Sequence, residues 1–435
     1  MSTAGSGLKL NSPGSGGVLL TRLSLMMFLQ YFVQGAYLPI ASVYVERSLG
    51  FTSMQVGWFI SALAIGPILA PFFVGQLVDR WFATERVMAA FHVIGGVLMM
   101  WLSYEKNVIP VIVLGTVYSI LYVPTMMLTN SLAFQHLRNS DMEFPWIRLF
   151  GTLGYIVPAY VIEMWWLRGL TGPALDDARA VAFTLSGMAG IAMGVYCLTL
   201  PHTPPVPKKK DYAPGIVVSL LRRQDFLVLI VVSFLIAMVH QFVVAWYSPF
   251  VRNILDTGQA GAWEQRISSV GQICELVVLA TLGLMIKSLG FKRTMLLGLT
   301  AYLLRAILFS LVFMFDMPFT ARMWLAGAGQ ALHGFCFGCF MAVGYMYVDK
   351  VAPKDVRGSM QTLYGVFVLS LGFFVGGFVG GVVVAQFTTG EGATAVHDWN
   401  NIWSCCAIMC LLCVVLFAQF FPKLPTDEFA ETSKK

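Results

Sequence analysis

Charge is what this chain has least of. Asp, Glu, Lys and Arg make up 11% of its 435 residues, against about 25% in ordinary soluble domains. With 57% of the sequence hydrophobic, that scarcity excludes a soluble globular protein. A GxxxxGK(S/T) phosphate loop is also missing, as is any polar stretch long enough to fold around one, which argues against an ATP-driven pump. Cysteine is present but in no metal-ligand pattern: Cys336 and Cys339, and the group Cys405, Cys406, Cys410 and Cys413, have no His or second pair at ligand spacing. These thiols read as small packing residues between helices, and no metal, disulfide or other cofactor is expected. The opening MSTAGSGLKLNSPGSGG is Gly/Ser-rich and lacks an apolar core with a small-residue cleavage site. Residues 1–18 therefore read as a disordered cytoplasmic tail, and the first apolar run is expected to be retained.

What fills the chain instead is apolar runs. A helix crossing the roughly 30 Å hydrocarbon core needs about 20 mostly apolar residues. Twelve such runs stand out, at 19–44, 53–77, 85–103, 107–135, 144–165, 179–200, 224–252, 266–288, 292–314, 321–348, 357–386 and 399–421. They lack the alternation of a barrel strand, so the expected fold class is an all-α integral membrane protein. Most of the 28 basic residues fall in the tails and even-numbered loops, which places both termini in the cytoplasm. The formal charge of +6 thus reports membrane topology, and no nucleic-acid partner is expected.

The runs divide six and six around PHTPPVPKKKDYAPG, the one long Pro-rich basic linker. The expected organisation is an N-terminal half over 19–200, a linker over 201–223, a C-terminal half over 224–421 and a cytoplasmic tail over 422–435. Two weak echoes suggest duplication: Gly75 to Arg86 recurs as Gly283 to Arg293, and Pro145 with Arg148 recurs as Pro353 with Arg357. Two parallel six-helix halves with a site between them near the midplane describe a secondary transporter.

Ionisable residues deep in a span cost about 2.5–3.5 kcal/mol on insertion scales and usually have a partner or a task. Glu275 lies mid-span in SSVGQICELVVLATLGLM, with Gln272 on the same helical face and Ser268 and Ser269 a turn beyond. Burial favours the neutral form of a carboxyl group, so Glu275 is the leading candidate for a group that takes up and releases a proton; the alternative is a structural ion pair with Arg305 or Arg148. Glu163, His92 and Arg305 read as structural. A second polar face runs through FPWIRLFGTLGYIVP, where Arg148, Thr152 and Tyr155 stand at i, i+4 and i+7. Gln30 and Gln34, then Tyr122, Thr125 and Asn130, then His240 and Gln241 add polar groups in spans one, four and seven. His333, Phe337 and Phe340 align in span ten. Amides, a hydroxyl, one acid and aromatic faces together suit a neutral planar solute with a polar rim.

The loop GQLVDRWFATER resembles the loop motif of the major facilitator superfamily, with Gly75, Leu77, Asp79, Arg80 and Arg86 in place. The likeness implies that Asp79, Arg80 and Arg86 lock an inner gate, Asp79 facing the N-terminal end of span eleven, where unsatisfied helix N–H groups favour a carboxylate; ordinary topology charges are the plainer alternative. LYVPTMMLTNS, FPWIRLFGTLGY and Gln272-x-x-Glu275 resemble the nucleoside-proton symporter family of that superfamily. The resemblance implies a nucleoside site lined by Arg148, Thr152, Tyr155, Gln241, Gln272 and Glu275, with His333 and Phe337 beside it and Glu275 as the proton-coupling group. Three positions depart from the family pattern: Val244 stands for an Asn, His333 for a Tyr and Gly338 for an Asp. The implied protein is a non-enzymatic inner-membrane symporter, acting as a monomer in the bilayer on a nucleoside and a proton. A carrier of another neutral solute, such as a sugar or peptidoglycan fragment, and a non-transporting membrane receptor are the alternatives.

Overall fold

In the computed structural model, residues 16–205, 223–352 and 357–422 are described. The expected linker and both tails lie largely outside them. Eleven helices are long and apolar enough to cross a membrane: α1 Gly17–Ser48, α2 Ser53–Val74, α3 Thr84–Leu102, α4 Val108–His136, α5 Met142–Trp166, α6 Gly172–Cys197, α7 Gln224–Thr257, the 51-residue Glu264–Met314, α10 Phe319–Val351, α11 Met360–Gln386 and α12 Trp399–Phe420. At 1.5 Å per residue the 51-residue segment is about 76 Å long, over twice the hydrocarbon thickness. It contains one residue with non-helical backbone, Gly290 (φ 79°, ψ 174°), a conformation that L side chains rarely adopt. The segment is therefore two spans, α8 over 264–289 and α9 over 291–314, which gives twelve crossings among the described residues.

The packing partners repeat. Helix α1 lies against α5 and α3 against α6; six helices later α7 lies against α11 and α9 against α12. Close backbone approach permits the first of these: a Cβ on Gly154 would stand 2.2 Å from the carbonyl oxygen of Phe28. Ring packing supports the last, with Phe309 and Trp403 centroids 4.9 Å apart. Between the two sets, α2 meets α11, where Ser61 Oγ donates to the Phe374 carbonyl at 2.9 Å, and α5 meets α8.

Several local features depart from regular α-helix, among them π-type turns over Tyr44–Ser48, Ile162–Trp166 and Leu363–Ser370. Residues 388–397 form a short antiparallel hairpin, β1 Thr388–Thr389 with β2 Val396–His397, in the register Thr388 to His397. Helix α10 is wound in wider π-type turns over Cys336–Ala342. Such turns are common beside functional sites, and these directly follow His333.

Candidate functional site

A cavity of about 50 Å³ lies between the two sets of helices, bounded by Leu38 and Pro39 of α1, Tyr155 of α5, His240, Val243, Val244, Tyr247 and Ser248 of α7, Ser268 and Gln272 of α8, Arg305 of α9, and Gln330 and His333 of α10. At this volume it holds one or two waters. Of the α8 stripe expected from spacing, Ser268 and Gln272 stand one turn apart on the wall, while Ser269 and Glu275 are not among the lining residues. The side-chain oxygen Oε1 of Gln272 is buried and has no hydrogen-bond partner. Val244 contributes an apolar patch where the family pattern has an amide.

Glu275 sits one turn further along α8. Its partner is neither arginine but the imidazole of His333, with Nε2 3.5 Å from Oε2. Nδ1 of His333 is 3.2 Å from Nη1 of Arg305, while Nη2 of Arg305 donates to Gln330 Oε1 at 2.5 Å and Gln330 Nε2 donates to the Ser268 carbonyl at 2.9 Å. One guanidinium on α9 thereby holds two residues of α10, and both lead back to α8. The expectation that Arg305 is structural is incomplete, because its guanidinium also lines the cavity. A six-atom side chain lets a residue on an outlying helix reach the interior. His240, whose Nδ1 is 2.8 Å from the Tyr302 hydroxyl, packs its ring 5.4 Å from that of His333. Phe337 completes the aromatic cluster, its ring 6.3 Å from His240 and nearly parallel to His333 at 6.5 Å.

The other expected site residues are placed as follows. Tyr155 lines the cavity. Arg148, a turn or two nearer the opposite end of α5, lies with its guanidinium 4.3 Å over the Tyr31 ring, and Thr152 between them is half-buried. Gln241 is half-buried beside the cavity residue His240, without being in the wall itself. Gln30 is fully committed elsewhere: it donates to Thr125 at 2.8 Å, shares a 2.9 Å hydrogen bond with His92, and its carbonyl accepts from Tyr122 at 2.6 Å. This makes His92 a satisfied core residue, as expected. Position 338 is closed as well as empty of charge, since a Cβ on Gly338 would lie 2.8 Å from Val278 Cγ1. Of the loop motif, Arg80 and Arg86 are exposed, while the side chain of Asp79, like that of Arg357, lies outside the described residues.

One end of the cavity is shut by ion pairs that the sequence did not single out. This distal end is where α5 and α7 finish and α6, α8 and α12 begin. Glu163 of α5 accepts from Arg266 Nε of α8 at 2.8 Å and from the backbone N–H of Gln265 at 2.7 Å. Arg179 of α6 reaches Glu264 at 2.7 Å, and Arg252 of α7 joins the same carboxylate at 3.2 Å. Arg47 of α1 pairs with Asp256 of α7, and Glu46 with His397 of β2 at 3.0 Å. Arg179, Arg252 and Glu264 are all nearly inaccessible, so that cluster is desolvated, while Glu163 is buried against the partly exposed Arg266. Glu163 is therefore structural, but as a cross-link between helices rather than as a group at the lipid interface. In sequence these residues look like topology charges at helix ends; only the fold shows that they meet.

Twelve crossings in two similarly packed sets of six, with a small polar cavity between them closed at one end, define a membrane carrier of the major facilitator fold. The chain belongs to the nucleoside H+ symporter family, whose model matches residues 18–426. Among curated relatives, it is similar to YegT of Escherichia coli K12 (30% identical over 409 residues, covering 92% of this chain and 93% of that protein). It is also similar to the xanthosine permease of the same organism (26%, 91% and 94%) and to its nucleoside permease NupG (24%, 88% and 91%). The crystal structure of nucleoside transporter NupG superposes with a TM-score of 0.80 at 22% identity, covering 93% of this chain and all of that one. A D-xylose-proton symporter gives 0.69 at 13% identity over 94% of this chain and 99% of that one.

Proposed function

We propose that this protein imports nucleosides together with protons across the inner membrane by alternating access, as a monomer with both termini in the cytoplasm. The observation that carries the reading is the wall of α8. A buried, unpartnered amide oxygen on Gln272 stands one turn from a carboxylate, Glu275, whose partner is an imidazole. An unmet acceptor in a low-dielectric wall favours a ligand that donates a hydrogen bond, as the hydroxyls of ribose and the N–H groups of a base do.

In this reading Gln241, Gln272 and Glu275 hold one edge of the nucleoside, Arg148 and Thr152 the opposite edge, and Tyr155, His333 and Phe337 flank the planar base. Glu275 takes up the coupled proton. The cavity is too small for a nucleoside as it stands, so the ligand enters when the halves, 19–200 and 224–421, rock apart at the cytoplasmic end. The distal ion pairs then close the extracellular side, and Asp79, Arg80 and Arg86 lock the inner side in the opposite state. The test is solute binding by the purified protein and uptake by proteoliposomes carrying an inward proton gradient. Uridine, adenosine or xanthosine should raise the melting temperature and be accumulated with protons. Stabilisation by a sugar alone would replace the nucleoside reading, and no transport of any solute would remove the carrier reading.

A further inference from the structure

We propose that Arg305 is a positioning residue for proton coupling: by donating to Nδ1 of His333 it fixes that imidazole as the neutral Nε2–H tautomer, leaving Glu275 as the group that binds the proton. The inference rests on the nucleoside-proton reading of the same site and adds the device that decides where the proton sits.

The geometry allows one assignment. A guanidinium has five donors and no acceptor, so at 3.2 Å from Arg305 Nη1 the His333 Nδ1 atom must accept. The ring proton is then on Nε2, the atom that faces Glu275 Oε2 at 3.5 Å. A second ring proton would have to occupy Nδ1, break this hydrogen bond and set two cations side by side in a site where Arg305 and His333 are 3% and 7% exposed; like charges at such range disfavour one another strongly. Arg305 is itself anchored by Gln330 and lies 5.4 Å from the Phe309 ring, so it is held in place when the proton arrives.

The other titratable groups around His333 do not take over this role. From α7, His240 has its Nδ1 in a hydrogen bond with Tyr302 of α9, and Tyr247 donates to the Ala326 carbonyl at 3.2 Å. Cys336 follows on α10 and Tyr155 faces the cavity from α5. Of the groups around the ring, Glu275 is the one carboxylate, and it faces the Nε2–H of the neutral imidazole at 3.5 Å. Uptake then forms one O–H bond on the carboxylate, and release breaks it, while His333 keeps its single proton throughout. Without Arg305 the imidazole is free to become a cation against Glu275, and a cation at that range favours the ionised form of a carboxylate.

Two measurements on the full-length protein in lipid test this without depending on transport. Nitrogen-15 NMR of labelled histidine, with His333 assigned by its loss in His333→Gln, should show Nε2–H and a bare Nδ1 from pH 8 to pH 5; a doubly protonated ring or the opposite tautomer overturns the proposal. Infrared titration of the protonated-carboxyl band, assigned by its loss in Glu275→Gln, should show the band appearing only at lower pH, by about one unit or more, in Arg305→Met. It should return to its wild-type position in Arg305→Lys and in Arg305→Met/His333→Gln. An unshifted band in Arg305→Met, or a shift that persists in the double variant, overturns it. If Arg305→Met does not accumulate, the NMR result on the wild-type protein decides alone. Failure of the nucleoside reading is distinguishable, because it would show as absence of nucleoside-dependent change while both proton signals behave as described.

Discussion

Glu163 on α5 and Arg266 on α8 form a 2.8 Å ion pair directly beyond the cavity, pinning together the two helices that carry Tyr155 and Gln272. The carboxylate is 1% exposed and its Arg266 partner 22%, so the cost of removing one partner lies below the about 3–5 kcal/mol of a fully buried pair. Because opening the distal end breaks the pair anyway, its loss should destabilise the closed state selectively. A single cysteine introduced at Ser268 should react with a membrane-impermeant maleimide from outside at least about tenfold faster in Glu163→Gln than in the parent, the factor that corresponds to about 1.4 kcal/mol. Equal labelling rates would show that the pair does not contribute to closure.

Coupling gives a second test. Glu275→Gln keeps the size and one acceptor of the side chain but cannot exchange a proton. Nucleoside exchange between the two faces of a liposome should survive, while nucleoside-driven alkalinisation of the medium should vanish. Proton movement at the wild-type rate in that variant would show that the coupled proton travels elsewhere.

Gln272→Leu removes the unpaired acceptor while keeping the bulk. A hydrogen bond to a buried ligand contributes about 0.5–1.5 kcal/mol, so nucleoside affinity should fall about two- to thirteenfold, measured by calorimetry. The apoprotein should melt at the same temperature or slightly higher, since a buried group without a partner has been replaced by an apolar one. Unchanged affinity would move the ligand away from this wall of α8.

Restoring the family's acid should fail for steric reasons. Gly338→Asp places a side chain against Val278, and overpacking of this kind costs about 1–3 kcal/mol. Val278→Ala should relieve part of that cost in the double variant. Melting temperatures of the four proteins form the cycle; additive effects would mean that the two positions do not meet.

Much of this was legible along the chain, for reasons that are local. Span lengths follow from the thickness of hydrocarbon, so twelve crossings could be read from run lengths alone, including the near-absence of a loop between residues 288 and 292. The polar stripe of α8 was visible because i, i+3 and i+4 neighbours share a helix face. The hairpin over 388–397 was not, since two-residue strands have no period to detect. Nor was the pairing of Glu275 with His333, which are brought together only by the packing of α8 on α10. Arg305 was placed correctly in its helix but assigned too little, because the position of a Cα says nothing about where a long side chain ends.

The single left-handed glycine at the turn between α8 and α9 sets more than a change of direction. Equal numbers of residues separate Gly290 from Glu275 on one arm and from Arg305 on the other, so the two Cα atoms each stand about 22 Å from the bend along their helices. The register of the two backbone positions is thus counted out by the chain itself. One residue inserted into either arm would raise its charge by about 1.5 Å and swing it about 100° around the helix, away from His333.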